Sequence, residues 1–205
     1  MIRNTVATLL AASLAACSQA EAESDSSARN STAETRATPK FTQLDQDFDT
    51  PFPGHDTKII LGQSDLPSQL SLLEVEVAPR SVGAPPHQHS AEDEVFIVTE
   101  GAVTFLNGEE EVEAGKGTVA SLPRGHFHGF WNPHDEPARM LLLINPGGFD
   151  SFFDEVVQQV RADNADNPAA IGAIIGQKAA ERGVTVDPSR FPPSAQALLA
   201  PPPEG

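Results

Sequence analysis

Apolar and polar residues alternate along much of the chain after residue 57, and this pattern predicts a series of short β-strands. In residues 70–77, Leu73, Val75 and Val77 alternate with mostly acidic residues, as expected of a strand that buries one face. Further strands are predicted at 58–61, 94–99, 102–106, 111–113, 118–122, 127–131 and 139–144. Because glycine and proline turns separate these strands, Asn107-Gly108 among them, the fold is predicted to be all-β, either a sandwich or a closed barrel.

Two helices are predicted to follow the strands. The first begins with Ser151 and Asp154 in the spacing of a capping box, and its apolar stripe comprises Phe152, Phe153, Val156, Val157 and Val160. The second begins at Asn167, which precedes a proline, and ends at Gly183; its stripe comprises Ile171, Ile174 and Ile175. We expect both helices to cover the barrel or a dimer surface, with a lid over the barrel mouth as the alternative.

The first residues of the chain predict export. Residues 1–16 combine a short basic start with an apolar run that is too short to cross a bilayer, which is typical of a signal peptide. The run ends in Leu-Ala-Ala-Cys, which resembles a bacterial lipobox, so Cys17 is predicted to be lipidated after cleavage. An ordinary signal peptide followed by a stray cysteine is the alternative. The resemblance implies a lipoprotein anchored in the outer membrane and facing the periplasm.

Composition divides the rest of the chain into three parts. Residues 17–40 are rich in Ser, Ala, Glu and Thr and show no periodicity, so they are predicted to form a disordered tether behind the lipidated cysteine. Residues 41–186, with the helices at about 149–183, are long enough for one domain around a single core. Residues 187–205 are rich in proline and are predicted to form an extended, loosely ordered tail.

Charge limits the partners that the chain is expected to bind. The formal net charge is -16, and no basic cluster interrupts the acidic composition, which argues against binding to nucleic acid. The same acidic excess would repel anionic lipid, so membrane association is expected only through the lipid anchor. A small-molecule ligand or substrate is the partner that we expect. Cys17 is the only cysteine, so no disulfide stabilises the fold.

Three histidines and one glutamate supply the candidate chemistry. His87 and His89 are two residues apart and share one face of a strand, Glu94 opens the next strand, and His128 follows the turn at 123–125. Imidazole nitrogen combined with a carboxylate oxygen suits a divalent transition metal better than calcium or magnesium. These four residues are therefore predicted to bind a metal ion.

The pattern leaves alternatives to this ligand set. His126 could share the face of His128 and replace it, and Glu92 and Asp93 are rivals of Glu94. Some side chains are expected to line a pocket or to lie next to the ligands: His126, Phe96, Phe130 and Arg124. Two further histidines are expected to be solvated, because they lie in predicted loops that contain Pro, Gly and Asp: His55 and His134.

The two stretches that carry the candidate ligands resemble the two sequence motifs of the cupin superfamily. The first motif, G(X)nHXH(X)4E(X)6G, is matched from His87 to Gly101, although Gly83 stands closer to His87 than in the common pattern. The second motif, G(X)5PXG(X)2H(X)3N, is matched at each fixed position: Gly117, Pro123, Gly125, His128 and Asn132. The resemblance implies a cupin double-stranded β-helix, or jelly-roll, barrel, and it selects Glu94 and His128 over their rivals.

Over roughly residues 55–185 the chain is also similar to small single-domain cupins of the quercetin 2,3-dioxygenase type, which continue with a strand, a turn like that at 145–149, and a helix. This similarity implies one divalent transition metal per chain, Fe(II) in the first place, with Mn, Ni, Co, Cu or Zn as alternatives. It also implies a homodimer.

The same similarity implies a mononuclear-metal dioxygenase for a small aromatic or enolic substrate, with Glu94 as the catalytic residue that accepts a proton from the substrate. Two other functions stay open. One is a non-catalytic, periplasm-facing lipoprotein that binds a metal or a small ligand, and the other is a cupin isomerase or hydrolase.

Overall fold

The computed structural model describes residues 37–44 and 47–199, whose centre is a pair of antiparallel sheets. The first sheet contains, in spatial order, β1 (Thr50–Phe52), β2 (His55–Leu61), β3 (Ser71–Val77), β10 (Ala138–Asn145), β5 (Asp93–Glu100) and β8 (Val119–Leu122). The second contains β11 (Val184–Val186), β4 (Ser81–His89), β9 (His128–Asn132), β6 (Ala102–Asn107) and β7 (Glu110–Gly115). The prediction of a mostly β jelly-roll architecture is confirmed, but the strands form two separate ladders rather than one closed barrel.

The hydrophobic core lies between the two sheets. Leu73, Val75 and Val77 of β3 are completely buried, as their alternation predicts, but Glu74 on the opposite face is buried as well. Phe96 from the first sheet packs against Phe105 and Phe130 from the second, with ring centroids 5.4 Å apart in both pairs. Side chains from the two sheets thus interdigitate and fill the space between them.

Three helices follow the strands in the described residues: α1 (Ser151–Ala162), α2 (Pro168–Glu181) and α3 (Pro193–Leu199). The stripe predicted for α1 is confirmed, because it packs into the core through Phe152, Phe153, Val156 and Val157. Helix α2 contributes Ile174, Ile175 and Ala179 to the same core. It begins as predicted, with the side chain of Asn167 accepting a hydrogen bond from the Ala170 amide at 3.0 Å.

Two predictions about the end of the chain are wrong. Both expected helices form, but the expectation of a loose tail at 187–205 fails over its described residues, because α3 packs Ala195 against Leu106 and Trp131. The structure adds β11, which pairs with β4. Residues 200–205 of the predicted tail lie outside the described residues. The predicted capping box also fails. Asp150 caps α1 instead, and Asp154 accepts a hydrogen bond from the Thr50 hydroxyl at 2.6 Å. Helix α3 and Asp154 both contact residues that are distant in sequence, whereas the cap of α1 comes from the neighbouring residue.

The predicted signal peptide, Cys17 and the tether up to residue 36 lie outside the described residues. Within the part of the chain that the structure describes, no helix is long and apolar enough to span a bilayer.

We expect Leu73→Ala to lower the free energy of unfolding by about 3 kcal/mol, because it leaves a cavity in a completely buried position. The matched control is Leu72→Ala, since Leu72 is the next residue of β3 and is only partly buried. It should cost less than about 1 kcal/mol. Urea denaturation of both variants measures the difference. Equal losses would contradict the assignment of the buried face of β3.

Candidate metal centre and its cavity

Four side chains meet between the two sheets. His87 and His89 extend from β4 and His128 from the adjacent strand β9, where His128 pairs directly with His87. Glu94 reaches them from β5 in the opposite sheet. One potential ligand atom from each of these four residues lies within 4.8 Å of the other three. The site therefore depends on the packing of one sheet against the other.

Hydrogen bonds fix the orientation of the three imidazole rings. In each ring Nδ1 faces an oxygen: Pro85 O at 2.7 Å for His87, Glu92 Oε2 at 3.2 Å for His89, and His126 O at 3.0 Å for His128. A carbonyl or carboxylate oxygen only accepts, so each Nδ1 carries a hydrogen and donates it. This leaves Nε2 of each histidine as the nitrogen that can bind a metal ion.

The interior of the cluster shows a polar atom without a partner. His89 Nε2 is buried, lies 3.6 Å from Glu94 Oε2, and has no hydrogen-bond partner among the described residues. His128 Nε2 lies 2.8 Å from the same carboxylate oxygen and donates a hydrogen bond to it. A divalent cation among these atoms would satisfy His89 and replace the proton on His128. The arrangement could therefore hold a metal ion.

Electrostatics in the cluster favours metal binding. Burial by itself would raise the pKa of Glu94, but the hydrogen bond from His128 and the charges of the histidines outweigh it and lower the pKa to about 2. Burial and then the charge of His128 lower the pKa of His87 to about 3. Glu94 is thus anionic and His87 is neutral near pH 7, which are the states that bind a cation.

His128 is the group that a metal ion must deprotonate. Burial acts to lower its pKa, but the hydrogen bond and the charge of Glu94 raise the pKa above its ordinary value. In the metal-free protein His128 and Glu94 therefore form a buried ion pair. A metal ion competes with the proton on His128, so metal binding should weaken as the pH falls.

Two residues of the second motif stabilise the loops around the cluster. The amide of Gly125, which has a φ of +75°, donates a 2.7 Å hydrogen bond to the carbonyl of His89. This bond ties the turn before β9 to the end of β4. Asn132 is completely buried and its amide donates to the carbonyls of Val77 and Glu136. These motif positions act on the backbone rather than on a ligand.

The rivals of the four residues lie outside the cluster. His126 contacts Asn107 through Nε2 at 2.8 Å, and only its backbone carbonyl approaches a candidate ligand. Asp93 forms a two-pronged ion pair with Arg124 on the surface. Arg124 and His126 are not among the residues that line the cavity, and of the two only His126 approaches a candidate ligand, through its backbone carbonyl. Glu92 orients His89 from outside the cluster.

A cavity of about 60 Å³ adjoins the cluster, with room for about four water molecules. His87 and Glu94 form part of its wall, and Phe96 and Phe130 line it as predicted. Helices α1 and α2 also contribute to the wall, so they close one side of the cavity. Four further phenylalanines line the cavity without having been predicted to do so: Phe52, Phe149, Phe152 and Phe153.

His55 is the site residue that the sequence prediction placed wrongly. It begins β2 rather than lying in a loop, is 6% exposed, and lines the cavity. Its neighbour on the inward face, Thr57, is also polar, so the sequence offers no apolar alternation that could have placed His55 there. His134 does lie in a turn, with 40% of its side chain exposed.

One protein-family model matches part of the chain. The family model of the cupin domain matches residues 73–144, a range that contains all four clustered residues. No curated protein matches the chain.

Solved structures with a similar fold include KdgF from Halomonas sp., which is 24% identical with a TM-score of 0.45 over 51% of this chain and 90% of that one. A sugar phosphate isomerase of the cupin superfamily from Silicibacter pomeroyi is 28% identical with a TM-score of 0.41 over 45% and 60% of the two chains. The polyketide cyclase RemF from Streptomyces resistomycificus is 24% identical with a TM-score of 0.44 over 51% and 79%.

We expect His128→Ala to weaken the binding of a divalent transition metal by more than about 100-fold, because it removes a ring nitrogen from the centre of the cluster. His126→Ala is the matched control. Its side chain lies outside the cluster, and the substitution keeps the backbone carbonyl that accepts from His128. Metal content after dialysis and calorimetric titration with Zn²⁺ and Mn²⁺ measure the effect. Equal affinities in the two variants would exclude His128 as a ligand.

Proposed function

We propose that this chain, which carries a cupin domain at residues 73–144, is a mononuclear-metal dioxygenase for a small aromatic or enolic substrate. The observation that carries the proposal is that His87 and Glu94 belong both to the candidate metal cluster and to the wall of the cavity. A small molecule in the cavity would therefore reach the metal directly. A purely structural metal site would be closed on all sides.

The chemistry of the cavity wall supports this substrate class. The wall is almost entirely apolar, and six phenylalanine rings dominate it. Among the described residues that line it there is no lysine or arginine, so nothing there would neutralise a phosphate group. A compact, planar and largely apolar substrate fits such a wall better than a phosphorylated sugar does.

When bound, the metal would supply a Lewis acid that lowers the pKa of a substrate hydroxyl. Glu94 would accept the proton of that hydroxyl, and its position in the cavity wall supports this role. The chain contains no tyrosine, so a carboxylate or an imidazole must perform the proton transfer. The apolar wall would exclude water from the activated substrate. Both atoms of O₂ would enter the product, so no external reductant is required.

The proposal predicts that Glu94→Gln lowers O₂ consumption by about 100-fold or more, because it removes the proton acceptor. Glu100→Gln is the control, since Glu100 is an exposed residue at the end of the same strand. Oxygen uptake is measured on Fe-, Mn- and Ni-loaded protein with a panel of catechols, small enols and a flavonol. Metal content is determined for each variant, which separates the loss of the metal from the loss of proton transfer.

Other outcomes of this experiment would identify the alternative functions. A ligand that binds tightly, with no turnover for any metal, would indicate a non-catalytic binding lipoprotein. A substrate that is converted without O₂ consumption would indicate an isomerase or a hydrolase. Either result would overturn the dioxygenase proposal.

We also propose that the protein is exported and anchored by a lipid at Cys17, facing the periplasm from the outer membrane, and that it forms a homodimer. The apolar run before Cys17 and its Leu-Ala-Ala-Cys end support the anchor. Cys17→Ala should move the protein from the detergent phase to the aqueous phase in a detergent partition of expressing cells, whereas Ser18→Ala should not. A Cys17→Ala variant that stays in the detergent phase would exclude this anchor.

Sedimentation of the Cys17→Ala protein from the aqueous phase tests the homodimer, and a monomer would contradict it.

A further inference from the structure

His55 is the one polar side chain of the cavity wall that the candidate metal cluster does not account for. Among the described residues that line the cavity, only three side chains carry polar atoms: His55, His87 and Glu94. The other two belong to the cluster. His55 also lies outside residues 73–144, the part of the chain that matches the cupin domain. Neither the motifs nor the metal therefore explains a buried imidazole at this position.

A tight turn brings His55 to the cavity. Strands β1 and β2 pair through Phe52 and His55, so only Pro53 and Gly54 connect them. Gly54 has a φ of +100°, and a Cβ atom there would lie 2.4 Å from the carbonyl oxygen of Val82. Only glycine therefore lets this turn approach β4 so closely. The turn sets the first side chain of β2 against the second sheet.

The surroundings of His55 hold its ring in one orientation. Its Nδ1 lies 3.0 Å from the carbonyl oxygen of Gly83. The ring packs against Phe52 at 4.8 Å, Phe153 at 5.7 Å and Phe130 at 5.8 Å between centroids. Gly83 has no side chain where the Phe130 ring lies, since a Cβ atom there would be 2.1 Å from that ring. The imidazole is thus enclosed by aromatic groups on several sides.

The hydrogen bond to Gly83 determines which nitrogen of His55 is free. A carbonyl oxygen only accepts, so Nδ1 carries the hydrogen. Burial lowers the pKa of His55 to about 4, despite the opposing effects of the Gly83 bond and the Glu94 charge, so the ring is neutral near pH 7. In the neutral ring Nε2 is a hydrogen-bond acceptor, and the described residues show no hydrogen bond to it. Nε2 is not among the fully shielded polar atoms that lack a partner, so it is open to water or to a ligand that enters the cavity.

We propose that His55 binds the ligand of this cavity by accepting, through Nε2, a hydrogen bond from a hydroxyl group of that ligand. The ligand class is a compact aromatic or enolic molecule with at least one hydroxyl, held among the phenylalanine rings with that hydroxyl against His55. The inference rests on the proposed function in taking the cavity as the substrate site. It deepens that proposal by assigning recognition of the hydroxyl to a residue outside the cupin motifs.

The experiment compares two fluorinated probes that differ in their hydrogen-bond donor. 4-Fluorophenol carries a hydroxyl, whereas 1,4-difluorobenzene has a similar size and no donor. Both are titrated by ¹⁹F NMR against the Zn-loaded protein, or against the protein as isolated if it takes up no zinc. His55→Phe should lower the preference for 4-fluorophenol over 1,4-difluorobenzene by about tenfold. His55→Gln, whose amide oxygen can accept, should retain part of the preference.

Controls separate this effect from damage to the cavity. His134→Phe makes the same replacement at a histidine that does not line the cavity, and it should leave the preference unchanged. Binding of 1,4-difluorobenzene reports whether the cavity of each variant is intact. If a variant does not fold, an NMR measurement on the unmodified protein tests the same contact. The ¹⁵N resonance of His55 Nε2 should shift with 4-fluorophenol and not with 1,4-difluorobenzene.

The outcomes distinguish this inference from the proposed function. An unchanged preference in His55→Phe, an unshifted Nε2 resonance, or no binding of 4-fluorophenol to the unmodified protein would overturn the role of His55. Oxygen uptake by the metal-loaded protein could still stand in each of those cases. Conversely, a preference that depends on His55 in a protein that consumes no O₂ would uphold the ligand contact and reject the dioxygenase.

Discussion

The structure depends on a carboxylate that is buried between two sheets. Glu94 is 4% exposed, and a buried anion of this kind is costly unless positive charge and hydrogen bonds surround it. Its partners, His87, His89 and His128, all come from the sheet that faces it. Glu94 is therefore neutralised only when the two sheets pack against each other. Without a metal ion, the proton of His128 provides the compensating charge.

The oxygen atoms that accept from the histidine rings outside the cluster determine which ring nitrogens face its centre. Two backbone carbonyls and the carboxylate of Glu92 each accept from an Nδ1 atom, and together they turn the three Nε2 atoms inward. Because backbone carbonyls are fixed by the strands and turns, much of this orientation follows from the fold. Glu92 is the exception, since it orients His89 through a side chain. From the sequence alone, Glu92 is only a rival ligand of Glu94.

The cavity combines a polar end with an apolar wall. Strands supply Phe96 and Phe130, whereas α1 supplies Phe152 and Phe153. The helices thus add to the core and also close the space next to the candidate metal ligands. A site of this kind strengthens electrostatic interactions because little water competes for them. His55 lies in the same apolar wall, where a polar group needs a hydrogen-bond partner.

The sequence by itself determined most of the strands and the starts of most elements, and its motifs selected the candidate ligand set. These features are local: alternation marks a strand, Asn167 marks the start of α2, and the spacing of His87 and His89 places them on one face. Only the tertiary structure decided which distant segments meet. It brought Glu94 across from the opposite sheet, paired Asp154 with Thr50 instead of with a capping box, and packed β11 against β4 and α3 against Trp131. It also moved His55 from an expected loop into the cavity wall. Long-range pairing decides such positions, because a buried group takes its partner from whichever segment the packed sheets bring near.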